Sequence, residues 1–264
     1  MRQEPLPDVS SLERGWRVLE WLTQAPGGEA RVRELAAALR IPRASLYRVI
    51  RTLLEARWIE ESPARGAYRL GQGLAALGLA ARLSCPLVHA ARPVLQEVAR
   101  ESGQMSELVV MVSPARLLAL DTWSTARTPV SVGEHVGEAF PLNHIMTHGR
   151  CFLFFDGENH LERYLRVAAS RENCAARGLT RPPRPETVRE DAERSRTRGY
   201  VCGWRRYAPE LARVAVSVND VRASRPRMVC SLGIACHPEE LTAPRAAAHG
   251  MLLRRWAREL EARL

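Results

Sequence analysis

The stretch VRELAAALRIPRASLYRVIRTLLEARWIEESPARGAYRL, residues 32–70, decides the reading of the whole chain. Within it Leu46, Val49, Ile50, Leu53 and Leu54 recur at helical intervals and form an apolar stripe, while Arg43, Tyr47, Arg48 and Arg51 fall on the remaining surface. Val32, Leu35, Ala36 and Leu39 give a shorter helix with a matching stripe, and the link from Arg40 to Arg43 is short enough to hold the two at a steep angle. Pro42 suits the first helical position, where a missing N–H costs nothing, and it leaves the free amides and positive dipole of that end facing outward. Upstream, Leu12, Trp16, Leu19 and Leu22 describe a third helix that covers both, capped by Ser10 or Ser11. Downstream, Ile59, Tyr68 and Leu70 supply the inward positions of a hairpin that turns at Ser62, Pro63 and Gly66, with Arg65 at its tip and Arg69 outward. Two helices joined by a tight turn and followed by a basic hairpin are the parts of a winged helix-turn-helix.

Composition agrees with a chain that meets an acidic partner. The 264 residues suffice for two domains, and the formal net charge is +10. All 39 basic residues are arginine, a uniformity that points to coding bias, so the placement of arginines carries more weight than their identity. Residues 1–83 hold 13 Arg against 9 Asp plus Glu, a balance of +4. The absence of a long uncharged apolar run, and an opening MRQEPLPDVS unlike a signal peptide, predict a cytoplasmic protein with no membrane partner. Six cysteines at 85, 151, 174, 202, 230 and 236 form no CxxC pair and read as reduced structural thiols. His135, His144 and His148 are the closest histidine group, but a nine- and four-residue spacing does not define a metal site, so no metal or cofactor is predicted.

After the hairpin, residues 71–83 read as an alanine-rich, nearly uncharged helix. Its face at Leu74, Leu77, Gly78 and Ala81 permits close approach of a symmetry mate, which predicts a homodimer or dimer of dimers. Cys85 and Pro86 break it, and residues 87–100 start a second helix. Residues 107–112 and 117–121 predict a hairpin, 143–155 a helix, 186–198 a charged helix, and 213–219 and 228–235 two apolar strands. A last helix around Met251, Leu252, Trp256 and Leu260 completes an α+β domain.

These segments together resemble the IclR family of transcriptional regulators over nearly the whole chain. SLERGWRVLEWL resembles the family's opening helix, VRELAAALRIPRASLYRVIRTLLEARWIE with GAYRLGQGLAALG its winged head and linker, and ARPVLQEVARESG with RTRGYVCG its effector-binding domain. The resemblance implies a winged helix-turn-helix over 1–70, a linker helix over 71–84, and a GAF-like antiparallel-sheet effector-binding domain over 85–264. It implies double-stranded operator DNA as one partner and a small organic acid, aromatic acids among them, as the other.

By position, Ser45 and Arg48 match the family's hydroxyl and arginine on the recognition helix, and Arg69 matches the basic residue that closes the wing. The expected DNA contacts are thus Arg43, Ser45, Tyr47, Arg48, Arg51, Arg65 and Arg69, with Arg43 or Arg48 reading guanine edges. The expected effector contacts are His144, Met146, Trp204, Arg205, Ser231 and Gly233. Here the chain departs from the family: the run His144 to Cys151 is bulkier than the usual small residues, and Trp204, Arg205 and Arg206 stand where acidic residues are common. An architectural or corepressor-like DNA binder with a vestigial sensor domain is the alternative regulator. An enzyme would draw its nucleophile from Cys151 or Ser217 and its base from His144 or His148. No paired carboxylates, nucleophile elbow or glycine-rich phosphate loop accompanies them, and the chain is predicted not to be an enzyme.

Overall fold

Three helices around a small apolar core and a three-stranded sheet begin the first of two units, Met1–Ser84 and Cys85–Leu264. The structure, a computed structural model, describes residues 10–64, 66–125, 136–157, 160–175, 177–203, 211–224 and 227–264. In the first unit these are α1 (Ser11–Leu22), β1 (Glu29–Arg31), α2 (Val32–Leu39), α3 (Arg43–Glu55), β2 (Ile59–Glu61), β3 (Ala67–Leu70) and α4 (Gln72–Leu83). Ser10 caps α1 by accepting the Glu13 N–H at 3.1 Å. Val18, Leu22, Leu35, Leu46, Ile50 and Ile59, each at most 2% exposed, join the three helices and the hairpin into one core.

Three details differ from the sequence reading. α1 is rotated from the expected phase: Gly15, Val18 and Leu22 face the core, while Leu12 and Trp16 are 79% and 58% exposed. The helix carries apolar residues on two sides, and the wider-spaced set reads as a stripe equally well. Pro42 is the residue before α3 rather than its first turn. Its carbonyl accepts the Leu46 N–H at 3.0 Å, while Arg40, in the left-handed region at φ 53°, turns the chain out of α2. The wing has a third strand: β3 lies between β1 and β2, so Arg69 stands opposite both Glu29 and Glu60.

The second unit contains α5 (Pro86–Ser102), β4 (Met105–Ser113), β5 (Arg116–Trp123), β6 (Ala139–Pro141), α6 (Thr147–Phe155), α7 (His160–Val167), α8 (Arg171–Ala175), α9 (Pro185–Arg198), β7 (Val201–Gly203), β8 (Ala212–Asp220), β9 (Arg227–Cys236) and α10 (Ala243–Glu261). Its strands pair antiparallel in the order β6-β5-β4-β9-β8-β7. Because side chains alternate across a strand, Leu108, Val214, Val216, Leu232 and Ile234 pack on one face against α5 and α10. Val109, Ala215 and Met228 belong to the other core, with α6, α7 and α9. Both faces are therefore covered by helices.

α6 starts four residues later than its hydrophobicity suggests. Asn143 does not join the helix: its Oδ1 accepts the N–H groups of Ile145 and Met146 at 3.0 and 2.9 Å, holding a turn ahead of it. Among the described residues no single helix is long and apolar enough to cross a membrane. The α+β class, with a winged head and an antiparallel-sheet domain, is as the sequence predicts.

Leu46→Ala, in the most enclosed part of the head, is expected to cost about 2–5 kcal/mol in urea unfolding. A loss below about 1 kcal/mol would show that the α2–α3 contact is not the centre of that core.

Candidate functional site

On the head, α3 presents its polar side outward. Arg43, Tyr47, Arg48 and Arg51 are exposed and Ser45 is half-buried, because Leu46, Ile50 and Leu53 occupy the inward positions of the same helix. No acidic residue stands in the first turn, so the positive end of the helix dipole is uncompensated beside Arg43 and Ser45. Arg51 approaches Glu55 at 3.7 Å in a solvated pair worth little, and Arg43 and Arg48 have no ion pair among the described residues. Arg69 is exposed and paired: Glu60 holds its Nε at 2.7 Å in a solvated ion pair, and Glu29 stands opposite it on β1. Arg65 lies outside the described residues.

In the second unit, a cluster of buried polar side chains sits between the sheet and α6. Glu107 on β4, Arg213 on β8, Ser231 on β9 and His148 on α6 are all 5% exposed or less. One carboxylate oxygen of Glu107 accepts from Arg213 Nε at 3.1 Å and lies 3.0 Å from His148 Nε2; the other ring nitrogen, Nδ1, is 2.9 Å from the Ser231 hydroxyl. With the proton on Nε2, the ring donates to Glu107 and accepts from Ser231. Gly233 stands opposite Glu107 in the register, and a Cβ there would come within 2.5 Å of the His148 ring. Gly149 is bound the same way, since a Cβ would strike the Asn143 carbonyl. Next to this set, Arg150 donates to Asp191 at 2.6 Å and to the Cys202 carbonyl at 2.5 Å.

The structure thus brings Ser231 and Gly233 together, around His148. It places His144 and Met146 in the turn ahead of α6. His144 Nδ1 is 2.7 Å from the Tyr164 hydroxyl, whose ring also lies under the Arg177 guanidinium, and Met146 packs against the α6–α7 core. Trp204 and Arg205 lie outside the described residues, as does His135. Glu107 and Arg213 were missed: Glu107 is the one charge in β4 and Arg213 stands among the apolar residues that open β8, and that setting was the available signal. Cys151 is no nucleophile, because complete burial pushes its thiol up to about 12. On α4, Leu74 is half-buried while Leu77, Gly78 and Ala81 are exposed; the helix buries no residue within its own chain.

Known proteins fall in line with this arrangement. Residues 11–63 match the IclR helix-turn-helix domain, and residues 80–262 match the C-terminal domain of the bacterial transcriptional regulator IclR. The chain belongs to the IclR family. It is 24% identical over 213 residues to the transcriptional repressor IclR of Escherichia coli K12, covering 80% of this chain and 75% of the relative. An IclR-family regulator from Brucella abortus shares the fold with a TM-score of 0.77 at 18% identity, over 98% of this chain and 94% of that one. An IclR homologue from Microbacterium hydrocarbonoxydans, solved with 4-hydroxybenzoate, aligns with a TM-score of 0.66 at 21% identity, over 97% and 99% of the two chains. As an IclR-family member the chain is a transcriptional regulator with a helix-turn-helix and a C-terminal ligand-binding domain, not an enzyme.

Burial, reinforced by the Arg150 charge and opposed by Asp191, lowers His144 to about 4. The unfolded chain takes up a proton near 6.5, so this histidine's contribution to stability is complete above pH 6.5 and is lost as pH falls toward 4. His249, lowered by burial and Arg245, adds to the same slope. His144→Gln is expected to flatten, without abolishing, the fall in Tm between pH 6.5 and 4. Superimposable profiles for variant and parent would remove His144 from this role.

Proposed function

We propose that this chain is a homodimeric, operator-binding repressor of the cytoplasm, whose C-terminal unit responds to a small organic acid. In this reading residues 1–70 read DNA, 71–84 pair the heads, and 85–264 sense the effector. The observation that carries it is the exposed row on α3: Arg43, Tyr47 and Arg48, without an ion pair among the described residues, beside an uncompensated helix start. Phosphates bind the helix start and the basic flank, fixing the register, while Arg48 or Arg43 forms a bidentate contact with a guanine edge. Arg65, on the sequence reading, adds a backbone contact from the wing tip. The name of the Escherichia coli relative supports repression.

Pairing follows from apolar surface that the head leaves uncovered. Leu77, Leu79 and Leu83 on α4 are 52%, 55% and 57% exposed, and α1 adds Leu12 and Trp16. A second copy covers these faces, and paired heads meet two half-sites. For the sensor, the His148–Ser231–Gly233 region with His144 and Met146 offers a few polar anchors beside apolar walls, and Trp204 and Arg205 join it on the sequence reading. The homologue solved with 4-hydroxybenzoate supports an acid, an aromatic one included.

One observation favours the alternative of an architectural or corepressor-like binder with a vestigial sensor: the polar groups of the cluster already satisfy one another. A thermal-shift screen of keto, dicarboxylic and aromatic acids separates the two. A hit that also changes operator affinity supports the sensor, and no stabilisation across the library supports the alternative.

On an operator selected by the parent protein from random duplexes, Arg48→Ala is expected to lose about 1–3 kcal/mol of discrimination. Arg65→Ala is expected to weaken binding to all sequences and to lower the salt slope by about 1. Unchanged preference in the Arg48 variant would refute its base-reading role. Leu77→Glu in the full chain is expected to raise the dimer dissociation constant at least about tenfold in sedimentation, since it sets a charge in the paired face. Association equal to the parent's would move the dimer contact elsewhere.

A further inference from the structure

We infer that Glu107 is a built-in occupant of a carboxylate seat in the C-terminal unit, so that an external acid enters that seat by displacing it. The groups around its carboxylate are those that a protein assembles for a small anion: the Arg213 guanidinium from β8 and the His148 ring from α6, the latter steadied by the Ser231 hydroxyl from β9. Gly233, across from Glu107 in the strand register, gives the ring its room. The carboxylate that completes the set comes from β4 itself. Its neighbours Ser106 and Leu108 face the other way, Ser106 donating to the Leu95 carbonyl at 2.7 Å and Leu108 lying in the α5–α10 core, so Glu107 alone among the three enters the seat.

Charge balance gives the seat its consequence. Arg213 is matched by Glu107 at 3.1 Å and Arg150 by Asp191 at 2.6 Å, all with side chains at most 21% exposed. Among the described residues, a further anion placed beside these pairs would be buried next to cations that are already matched, which is costly; one that replaces the Glu107 carboxylate inherits its contacts with Arg213 and His148. An effector acid therefore wins only by adding contacts that Glu107 lacks, such as an apolar or aromatic body, and acids as small as acetate leave the parent protein unmoved. The exchange itself rests on geometry alone; only its effect on DNA rests on the sensor reading above.

Glu107→Ala removes Cγ and the carboxylate, which together are the atoms of acetate, and acetate is the probe. Melting of the full-length protein is compared in sodium acetate, sodium chloride of equal ionic strength, and acetamide. Glu107→Ala is expected to lower Tm by roughly 5 °C or more. Acetate at tens of millimolar restores part of this saturably, as a ligand bound only by the folded state does. Chloride and acetamide restore none, and the parent protein does not respond to acetate. Adding Arg213→Met to the variant abolishes the recovery. Folding of Glu107→Ala only in acetate supports the seat equally well. Absence of an acetate-specific recovery, or an equal response in the parent, overturns it.

Should Glu107→Ala fold in neither salt, the decision passes to Arg213→Met with and without Glu107→Gln. The double variant, relieved of its unpaired charge, is expected to melt above the single one, and equal melting overturns the seat. Where Glu107→Ala does fold, its operator affinity is read with and without acetate. A change of threefold or more upholds both the seat and the sensor reading. Recovered Tm with unmoved affinity upholds the seat and overturns the cluster as a switch.

Discussion

The covering of the six-stranded sheet on both faces is the constraint on which the second unit depends. With α5 and α10 on one side and α6, α7 and α9 on the other, residues 105–109 of β4, 212–216 of β8 and 230–236 of β9 are all buried. A charge placed there needs its partner in the fold, since an unpaired ion in such a setting is heavily penalised. Glu107 and Arg213 lie on separate strands with β9 between them, and His148 joins them from the helix above. The site therefore fixes the position of α6 over the sheet. Gly233 and Gly149 serve the same approach: the first admits the His148 ring, and the second lets α6 pass close to the Asn143 carbonyl.

The head obeys a different rule. Its helices are short, so almost every inward position is taken by a core residue and the rest of each surface is left for something else. On α3 that remainder is basic and faces away from the core. On α1 and α4 it is apolar, which is unfavourable in water unless a second surface covers it. On the function proposed above, DNA reading and self-association fall to different helices. One can be altered without rebuilding the other.

The sequence was most legible where one period had one explanation. The α3 stripe is of this kind: Leu46, Ile50 and Leu53 are buried as their spacing implies, and the arginines follow by exclusion. It was misleading on α1, where two apolar sides compete and nothing local tells the core face from the outer one. The three-residue β1 was too short to leave a period, and without it Glu29, one of the two acidic residues opposite Arg69, could not be seen. At the start of α6 the apolar pattern ran on through a turn that a single side chain, Asn143, holds open. The buried cluster was least legible: its hydrogen-bonded partners are 41 to 106 residues apart in the chain, and strand pairing with α6 laid on the sheet brings them together. Ser231 and Gly233 were reached through the resemblance, and Glu107 and Arg213 were not.

A sensor with matched pairs in its resting cluster differs in kind from one with an open cationic pocket. A ligand shifts a conformational equilibrium only by the difference in its affinity for the two states. In an open pocket the charge of the ligand supplies that difference directly, and any acid of the right size contributes. Where Glu107 already holds Arg213 and His148, exchange of one carboxylate for another is nearly neutral in charge. The differential must then come from what else the ligand carries and from where the displaced Glu107 side chain goes. Selectivity accordingly moves from the acid group, common to many metabolites, to the body of the molecule.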